Sequence, residues 1–255
     1  VSRALAIFNG GNALATVVAA PLGSYLGSTI GWRGAFLCLV PVAIVAFIWQ
    51  YFSLPNMGGH QGPSPRKSLL RLLHQPAVSV GLMACGLFFM GQFALFTYVR
   101  PFLETVTHVS PSGLSLILLT IGIAGFIGTL IVALVLNAAF YLTLMAIPLL
   151  MALIAGVLML TGDSLWIVAL LLGFWGMLAT AAPTGWWTWI ARTLPEDAEA
   201  GGGLMVAVIQ LSIALGSTAG GVVFDTFGWQ STFALSSILL LSAGVLTFTT
   251  SRHRK

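Results

Sequence analysis

Two glutamines stand inside long apolar stretches, where an amide has few neighbours able to bond it. Gln92 lies in GLFFMGQFALF, flanked by Phe89, Phe93 and Phe96. Gln210 lies among small residues in GGGLMVAVIQLSIALGS. Because an unpaired amide is costly in apolar surroundings, each should reach a polar partner, either a solute or a neighbouring helix. Aromatic rings around one amide also suit a planar ligand such as a nucleobase.

A further face of amides and small residues lies near the start of the chain. Asn9, Asn12, Thr16, Ala19 and Gly23 recur every three or four positions, which places them on one side of a helix. The amide of Asn12 is the better placed of the two to donate to and accept from a polar solute. The same residue types also join helices in membranes, so packing remains the alternative interpretation.

A third group lies in another apolar run, where Trp175 and Thr180 stand near the centre. Both are candidates for solute contact. Trp186, Trp187 and Trp189 lie towards the end of that run, where interfacial anchoring or packing is the expected role.

The composition indicates the environment in which these residues act. Of 255 residues, 58% are hydrophobic and 6% are charged, whereas a soluble domain carries about 25% charged residues to wet its surface. The mean hydropathy is +1.01. A multi-pass membrane protein is therefore predicted. Cys38 and Cys85 both lie in apolar runs and are expected to pack as small residues without forming a disulfide.

Eight apolar runs are long enough to cross a bilayer as helices, which takes about 20 residues each. An all-α polytopic membrane fold with eight transmembrane helices is therefore predicted. The uncharged stretch from Gly113 to Thr161 is too long for one span, so a tight turn is expected at Asn137-Ala138. The predicted spans are 4–30, 34–54, 77–99, 110–136, 138–161, 164–191, 200–226 and 231–250.

Basic residues are distributed unequally between the two sides that these spans create. Arg33 and Arg100 fall on one side. The other side holds Arg3, Arg66, Lys67, Arg71, Arg192, Arg252, Arg254 and Lys255. The positive-inside rule then places both chain ends and the 55–76 loop in the cytoplasm. The same rule explains the basic pI of about 9.5, so the basic residues do not indicate that the protein binds nucleic acid.

Two corners have nearly the same sequence, GWRGAF at 31–36 and GWQSTF at 228–233. Each is interpreted as the outer turn of a helical hairpin, in which glycine permits unusual backbone angles. Chance recurrence of Gly-Trp corners is the alternative. One constant offset aligns Gly23 with Gly220, Gly31 with Gly228, Trp32 with Trp229, and Phe36 with Phe233.

With these repeated hairpins the sequence resembles the major facilitator superfamily, whose members have two six-helix halves. Resemblance to its drug and metabolite proton-antiporter branch rests on IGWRGAF, on TYVRPFLETVTHVSPSGLSLILLTIGIAGFIGT (97–129) and on TGWWTWIARTLPEDAEAGGGLMVAVIQLSIALGSTAGG (184–221). The last segment is most similar to bacterial efflux pumps for purine nucleosides and bases. Two motifs differ. Ala20-Pro21 replaces the Gly-Pro pair of the antiporter signature, and LNAAFYLTL (136–144) lacks the basic motif of that loop.

The resemblance implies a domain organisation. Residues 1–54 would be the last two spans of an N-terminal half, 55–76 a cytoplasmic loop between halves, 77–250 a complete six-span C-terminal half, and 251–255 a cytoplasmic tail. Four further spans are then expected before Val1.

The resemblance also implies a function, namely export of small organic solutes by proton antiport and alternating access in the bacterial inner membrane. The expected partners are a solute, protons and the lipid bilayer, and the protein is expected to be a monomer without a cofactor or metal. Central helices line the cavity in this fold. The predicted substrate-binding residues are therefore Asn12, Phe89, Gln92, Phe93, Trp175, Thr180 and Gln210.

The alternatives to a transporter are a membrane-embedded enzyme and a non-transporting fragment. The sequence has no HExxH motif, no His/Asp/Glu metal cluster and no Ser-Lys or Ser-His pair at depth, which disfavours a membrane-embedded enzyme. A non-transporting membrane fragment with a structural or partner-binding role remains the alternative. Because Glu104, Asp163 and Asp225 stand near the predicted outer face, proton-coupling groups are expected in the preceding spans.

Overall fold

The computed structural model describes residues 15, 18–19, 21–53 and 72–252, with side chains described up to 250. Most of the predicted first span, including Asn9 and Asn12, lies outside these residues, as do most of the 55–76 loop and the end of the tail. Every regular element in the described ranges is a helix. The predicted all-α class is confirmed.

Seven helical stretches of the described chain are long and apolar enough to cross a membrane, and each coincides with a predicted span to within a few residues. Residues 21–29 are also helical and belong to the predicted first span. Two of the seven stretches are each divided into two helices by a short break. The helices are α1 (Gly31–Leu37), α2 (Leu39–Ser53), α3 (Pro76–Phe96), α4 (Val99–Thr105), α5 (Pro111–Ala138), α6 (Phe140–Thr161), α7 (Leu165–Thr193), α8 (Ala198–Phe227) and α9 (Trp229–Arg252).

The helix ends follow from local sequence. Ser110 caps α5 by accepting a hydrogen bond at Oγ from the Gly113 amide, at 3.2 Å, and proline occupies the first turn, where no amide donor is needed. The turn between α5 and α6 lies at Ala139, one residue beyond the predicted Asn137-Ala138. Gly31 and Gly228 both have positive φ, at 75° and 85°. The two Gly-Trp corners are therefore alike in backbone as well as in sequence.

The six spans from α3 to α9 form one bundle in which two three-span units pack in the same way. Helix α3 lies against α8 and α9, and correspondingly α7 lies against α5 and α6. The third spans of the two units, α6 and α9, contact each other. If α3, α5 and α6 are matched to α7, α8 and α9, the helix pairs of α3 correspond to those of α7. This correspondence is expected for an internal structural repeat.

Glycines let these helices approach backbone to backbone. A Cβ built on Gly128 of α5 would meet the carbonyl oxygen of Met177 in α7. A Cβ built on Gly216 of α8 would meet the carbonyl oxygen of Met90 in α3. Apolar side chains gain little by leaving lipid for a protein interior, so close contact of small residues is a principal source of helix association in a bilayer.

Candidate functional site

Gln92 and Trp175 are both buried, and each has a side-chain polar atom without a hydrogen-bond partner. Gln92 is 9% exposed and Trp175 is fully buried. In the part of the chain that the structure describes, Gln92 Oε1 and Trp175 Nε1 are the two buried side-chain polar atoms without a hydrogen-bond partner. Buried polar groups are nearly always bonded, because each orphaned group costs about 1–3 kcal/mol. This pair therefore requires a physical explanation.

Gln92 belongs to the surface of α3 that faces α7. A Cβ built on Gly81 would meet the ring of Trp189. The side of α3 that carries Gly81 therefore faces α7. At 3.6 residues per turn, Cys85, Phe88 and Gln92 follow Gly81 along the same side of the helix. All of these positions are buried. The amide is thus directed into the space between α3 and α7.

Trp175 belongs to the complementary surface of α7. It shares one side of that helix with Ala179, Ala182, Trp186 and Trp189, which recur at spacings of three and four. All five are buried, and Trp186 and Trp189 are in edge-to-face contact at 5.9 Å. Because Trp189 contacts α3 at Gly81, the side of α7 that carries these five residues faces α3.

The two unbonded groups also stand at similar depth. Spans alternate in direction, so α3 and α7 run antiparallel, and the contact between Gly81 and Trp189 fixes their register. Counting eleven residues from each brings Gln92 level with residue 178, so Trp175 lies about 5 Å further along the axis at 1.5 Å per residue. The offset along the helix axis is thus less than one helical turn.

The chemistry of the pair is complementary. Gln92 Oε1 accepts hydrogen bonds, and the Trp175 indole N–H can only donate. A planar solute with one donor and one acceptor a few ångströms apart could bond to both. Phe88 and Phe89 pack edge to face at 5.2 Å beside the amide and supply flat apolar walls.

Phe89 and Phe93, both predicted to bind solute, lie at different angles around α3. Phe89 is 6% exposed and lies next to the α7-facing side of α3. Phe93 is partly buried and is turned roughly 100° around the helix from Gln92, in edge-to-face contact with Phe96 at 6.3 Å. The Phe93 ring therefore lies at the margin of the α3–α7 surface.

Thr180 is engaged in helix packing. Its hydroxyl lies 2.7 Å from the carbonyl oxygen of Gly125 in α5 and 2.9 Å from that of Gly176 in its own helix. A hydroxyl has one hydrogen to donate, and these carbonyls compete for it. The geometry favours a role in joining α5 to α7 over the predicted contact with solute.

Gln210 does not share a surface with Gln92 in the described structure. Helix α8 packs on α3 through Ser212 and Gly216. Gln210 lies roughly 120–160° around the helix from those residues and is exposed. The two glutamines, both predicted to face one cavity, therefore lie on different surfaces. Asn12, the remaining predicted residue, is outside the described ranges.

A cross-helix cluster at the end of α3 was not predicted as functional. The Tyr98 hydroxyl donates to the carbonyl oxygen of Ser217 in α8 at 2.9 Å, and the hydroxyls of Thr97 and Ser217 lie 2.9 Å apart. The Tyr98 ring stacks on Phe224 at 5.3 Å. The Thr97-Tyr98 pair at the break between α3 and α4 is the sequence signal for this contact.

Among the residues that the structure describes, no group of three or more His, Cys, Asp or Glu side chains is placed to hold a metal ion. The acidic and basic side chains of the described spans lie towards helix ends. Arg100 and Glu104, for example, form an exposed ion pair at 2.8 Å, where one arginine nitrogen donates to the carboxylate.

Comparisons with known proteins show which family and which relatives the chain resembles. The sequence profile of the Major Facilitator Superfamily matches residues 1–205. The chain is 62% identical over its whole length to the "Transcription regulatory protein OpdE" of Pseudomonas aeruginosa, and covers 64% of that protein. It is 41% identical over 94% of its length to the "Purine ribonucleoside efflux pump NepI" of Salmonella enteritidis, and to that of Salmonella typhimurium, covering 60% of each.

The chain thus spans somewhat under two thirds of the length of these curated relatives. The family match covers the first hairpin corner and continues to the start of α8. The helix pairs of the bundle are those of an internally repeated six-helix half. The chain belongs to the major facilitator superfamily.

Proposed function

We propose that this chain acts in a transporter that exports small planar polar solutes across the bacterial plasma membrane, with purine ribonucleosides as the solute class. The observation that carries the proposal is the pair of buried, unbonded groups, Gln92 Oε1 and Trp175 Nε1, on facing surfaces of α3 and α7. Relatives at 41% identity that are named as purine ribonucleoside efflux pumps support the choice of solute.

A purine base fits the chemistry of these groups. Its edge carries ring nitrogens and an exocyclic group that donate and accept hydrogen bonds, which match an amide oxygen and an indole N–H. Its flat faces suit packing between aromatic rings such as Phe88 and Trp175. Solute binding between α3 and α7 would couple to alternating access, because movement of these helices changes the spacing of the two groups.

Proton antiport is part of the proposal, with both chain ends cytoplasmic and the protein a monomer. Its support is the resemblance to proton-antiporter sequences. The carboxylates of the described residues lie near helix ends or in the turns between helices, away from the level of Gln92; they are Glu104, Asp163, Glu196, Asp197, Glu199 and Asp225. We therefore place the proton-coupling group outside the described spans.

A second candidate function is a membrane sensor that binds the same solute and controls gene expression. The name of the relative at 62% identity, a transcription regulatory protein, favours it. Both functions use the α3–α7 groups for binding, and they differ in whether bound solute crosses the membrane.

Two measurements on the purified protein test the proposal. Inosine or adenosine should bind, and Gln92→Leu should weaken binding about fivefold, since one lost hydrogen bond is worth about 1 kcal/mol and 1.4 kcal/mol corresponds to a factor of ten. Gln210→Leu, the matched amide on the exposed surface, should leave the affinity unchanged. Equal affinities for both variants and the parent would contradict the site.

The transport step is tested separately in inverted vesicles. Uptake of labelled nucleoside that depends on an imposed proton gradient is expected. Binding without gradient-dependent uptake would contradict transport and favour the sensor.

A further inference from the structure

A concave surface lies between α5, α6 and α7, lined by α7 residues other than those that face α3. It is a groove of about 320 Å³. Its walls are apolar except for Thr143, whose hydroxyl already donates to the Ala139 carbonyl oxygen at 2.8 Å. Ile131, Val135 and Leu142 at its rim are 45%, 43% and 62% exposed, so the groove opens away from the bundle. Such walls offer nothing for a polar solute to bond.

The groove has the depth of one leaflet. It begins at Ala139, in the turn between α5 and α6, and reaches Gly128 on α5 and Leu150 on α6. Eleven residues of helix at 1.5 Å each make about 16 Å, close to half of the roughly 30 Å hydrocarbon core of a bilayer. An extended acyl chain entering from the membrane surface would follow this path.

A basic side chain lies at the surface end of the groove. The guanidinium of Arg192 is 4.3 Å from the ring centroid of Phe140, the residue that follows Ala139. Arg192 is exposed at the last turn of α7. An arginine has five N–H donors and is suited to bidentate contact with phosphate oxygens, while its other face stacks on an aromatic ring.

We propose that this groove is a binding site for an anionic phospholipid, with one acyl chain between α5, α6 and α7 and the headgroup phosphate at Arg192. Three observations combine in this assignment: apolar walls without a usable polar group, a length equal to one leaflet, and a cation beside the groove at the depth of the headgroups. Basic residues between transmembrane helices at the membrane surface are typical of anionic lipid sites. The site is separate from the solute pair, because none of the α7 residues that line the groove belongs to the set that faces α3.

Lipid retention by the purified chain tests the proposal. The protein is mixed with phosphatidylglycerol or phosphatidylcholine of identical acyl chains, and bound lipids are counted by native mass spectrometry. The parent should retain phosphatidylglycerol several-fold more than phosphatidylcholine. Ala146→Phe, which fills the groove, should remove the retained lipid, whereas Ala133→Phe on an exposed part of α5 outside the groove should not.

The headgroup contact is tested in the same assay. Arg192→Gln should abolish the preference for phosphatidylglycerol, and Arg100→Gln, at the other membrane surface, should preserve it. Equal retention by the Ala146→Phe and Ala133→Phe variants would overturn the acyl-chain site. An unchanged preference in the Arg192→Gln variant would overturn the assignment of the headgroup.

Discussion

The corners at Gly31 and Gly228 have the same backbone and different surroundings. Both glycines have positive φ, and each is followed by a tryptophan and, four residues after that, by a phenylalanine. Phe36 of the first corner is 67% exposed, whereas Phe233 of the second is fully buried. Local sequence therefore determines the turn, and helix packing determines what the turn buries.

The aromatic neighbours show how the second corner becomes packed. Trp229 and Phe233 both contact Phe102 of α4, with ring centroids 5.0 and 4.8 Å away. In the first corner the Trp32 ring lies under the guanidinium of Arg33, at 5.1 Å, and is 66% exposed. Within the described residues, two segments with similar sequences thus differ in their tertiary contacts.

Truncation of the two phenylalanines should give the largest contrast. Phe233→Ala leaves a cavity among Phe102 and Trp229 and is expected to lower the free energy of unfolding by about 3–5 kcal/mol. Phe36→Ala should change it by less than about 0.5 kcal/mol. Equilibrium unfolding in mixed micelles measures both. Equal losses would show that the first corner is packed as tightly as the second.

Glycine substitutions within α8 should sharpen the contrast between packed and open surfaces. Gly216→Ala forces a methyl against the carbonyl oxygen of Met90 and should cost about 1–3 kcal/mol. Gly203 has no atom within 4 Å of a built Cβ, so Gly203→Ala should be neutral or stabilising by up to about 1 kcal/mol. Thermal unfolding of both variants checks the order. A destabilised Gly203→Ala variant would contradict the open surface.

The two corner glycines should respond alike, in contrast to their phenylalanines. Gly31→Ala and Gly228→Ala each place a Cβ at positive φ, which costs about 1–2 kcal/mol whatever the packing. The same unfolding experiment should return similar losses for both. A loss confined to Gly228→Ala would mean that tertiary contacts, and not the local sequence, impose the turn.

The tyrosines give the smallest expected effect. Tyr98→Phe removes the hydrogen bond to Ser217 and should cost about 0.5–1.5 kcal/mol. Tyr25, 60% exposed in the described N-terminal part, provides the control, and Tyr25→Phe should cost nothing measurable. Comparison of the two melting temperatures decides whether the contact between α3 and α8 stabilises the bundle.

Hydropathy was sufficient to predict the helices but not the directions in which they face. The predicted spans 110–136 and 164–191 agree closely with α5 and α7. In a soluble helix the alternation of polar and apolar residues shows which side is buried. In a membrane, both the lipid and the protein interior are apolar. The alternation of polar and apolar residues is therefore weak and does not show which side of a helix packs against its neighbours. For this reason the sequence could not show that Gln92 and Gln210 lie on different surfaces of the described bundle.

Small and polar residues carry the information that hydropathy lacks. Gly81 and Gly216 mark the sides of α3 and α8 where another helix approaches, and their spacing is visible in the sequence. The partners of each glycine are not visible there, because they depend on how six helices assemble. Gln92 and Trp175 could accordingly be selected as candidates from the sequence, while their placement on facing surfaces required the fold.

The most direct test of the solute site is the stability of the Gln92→Leu variant with and without nucleoside. An orphaned amide costs free energy in the unliganded protein, so its replacement by a leucine of similar size should raise the unfolding free energy by about 1–3 kcal/mol. The same substitution should reduce the additional stabilisation that saturating inosine gives the parent. A variant that is less stable without inosine, and is stabilised by inosine as much as the parent, would contradict a solute-binding role for Gln92.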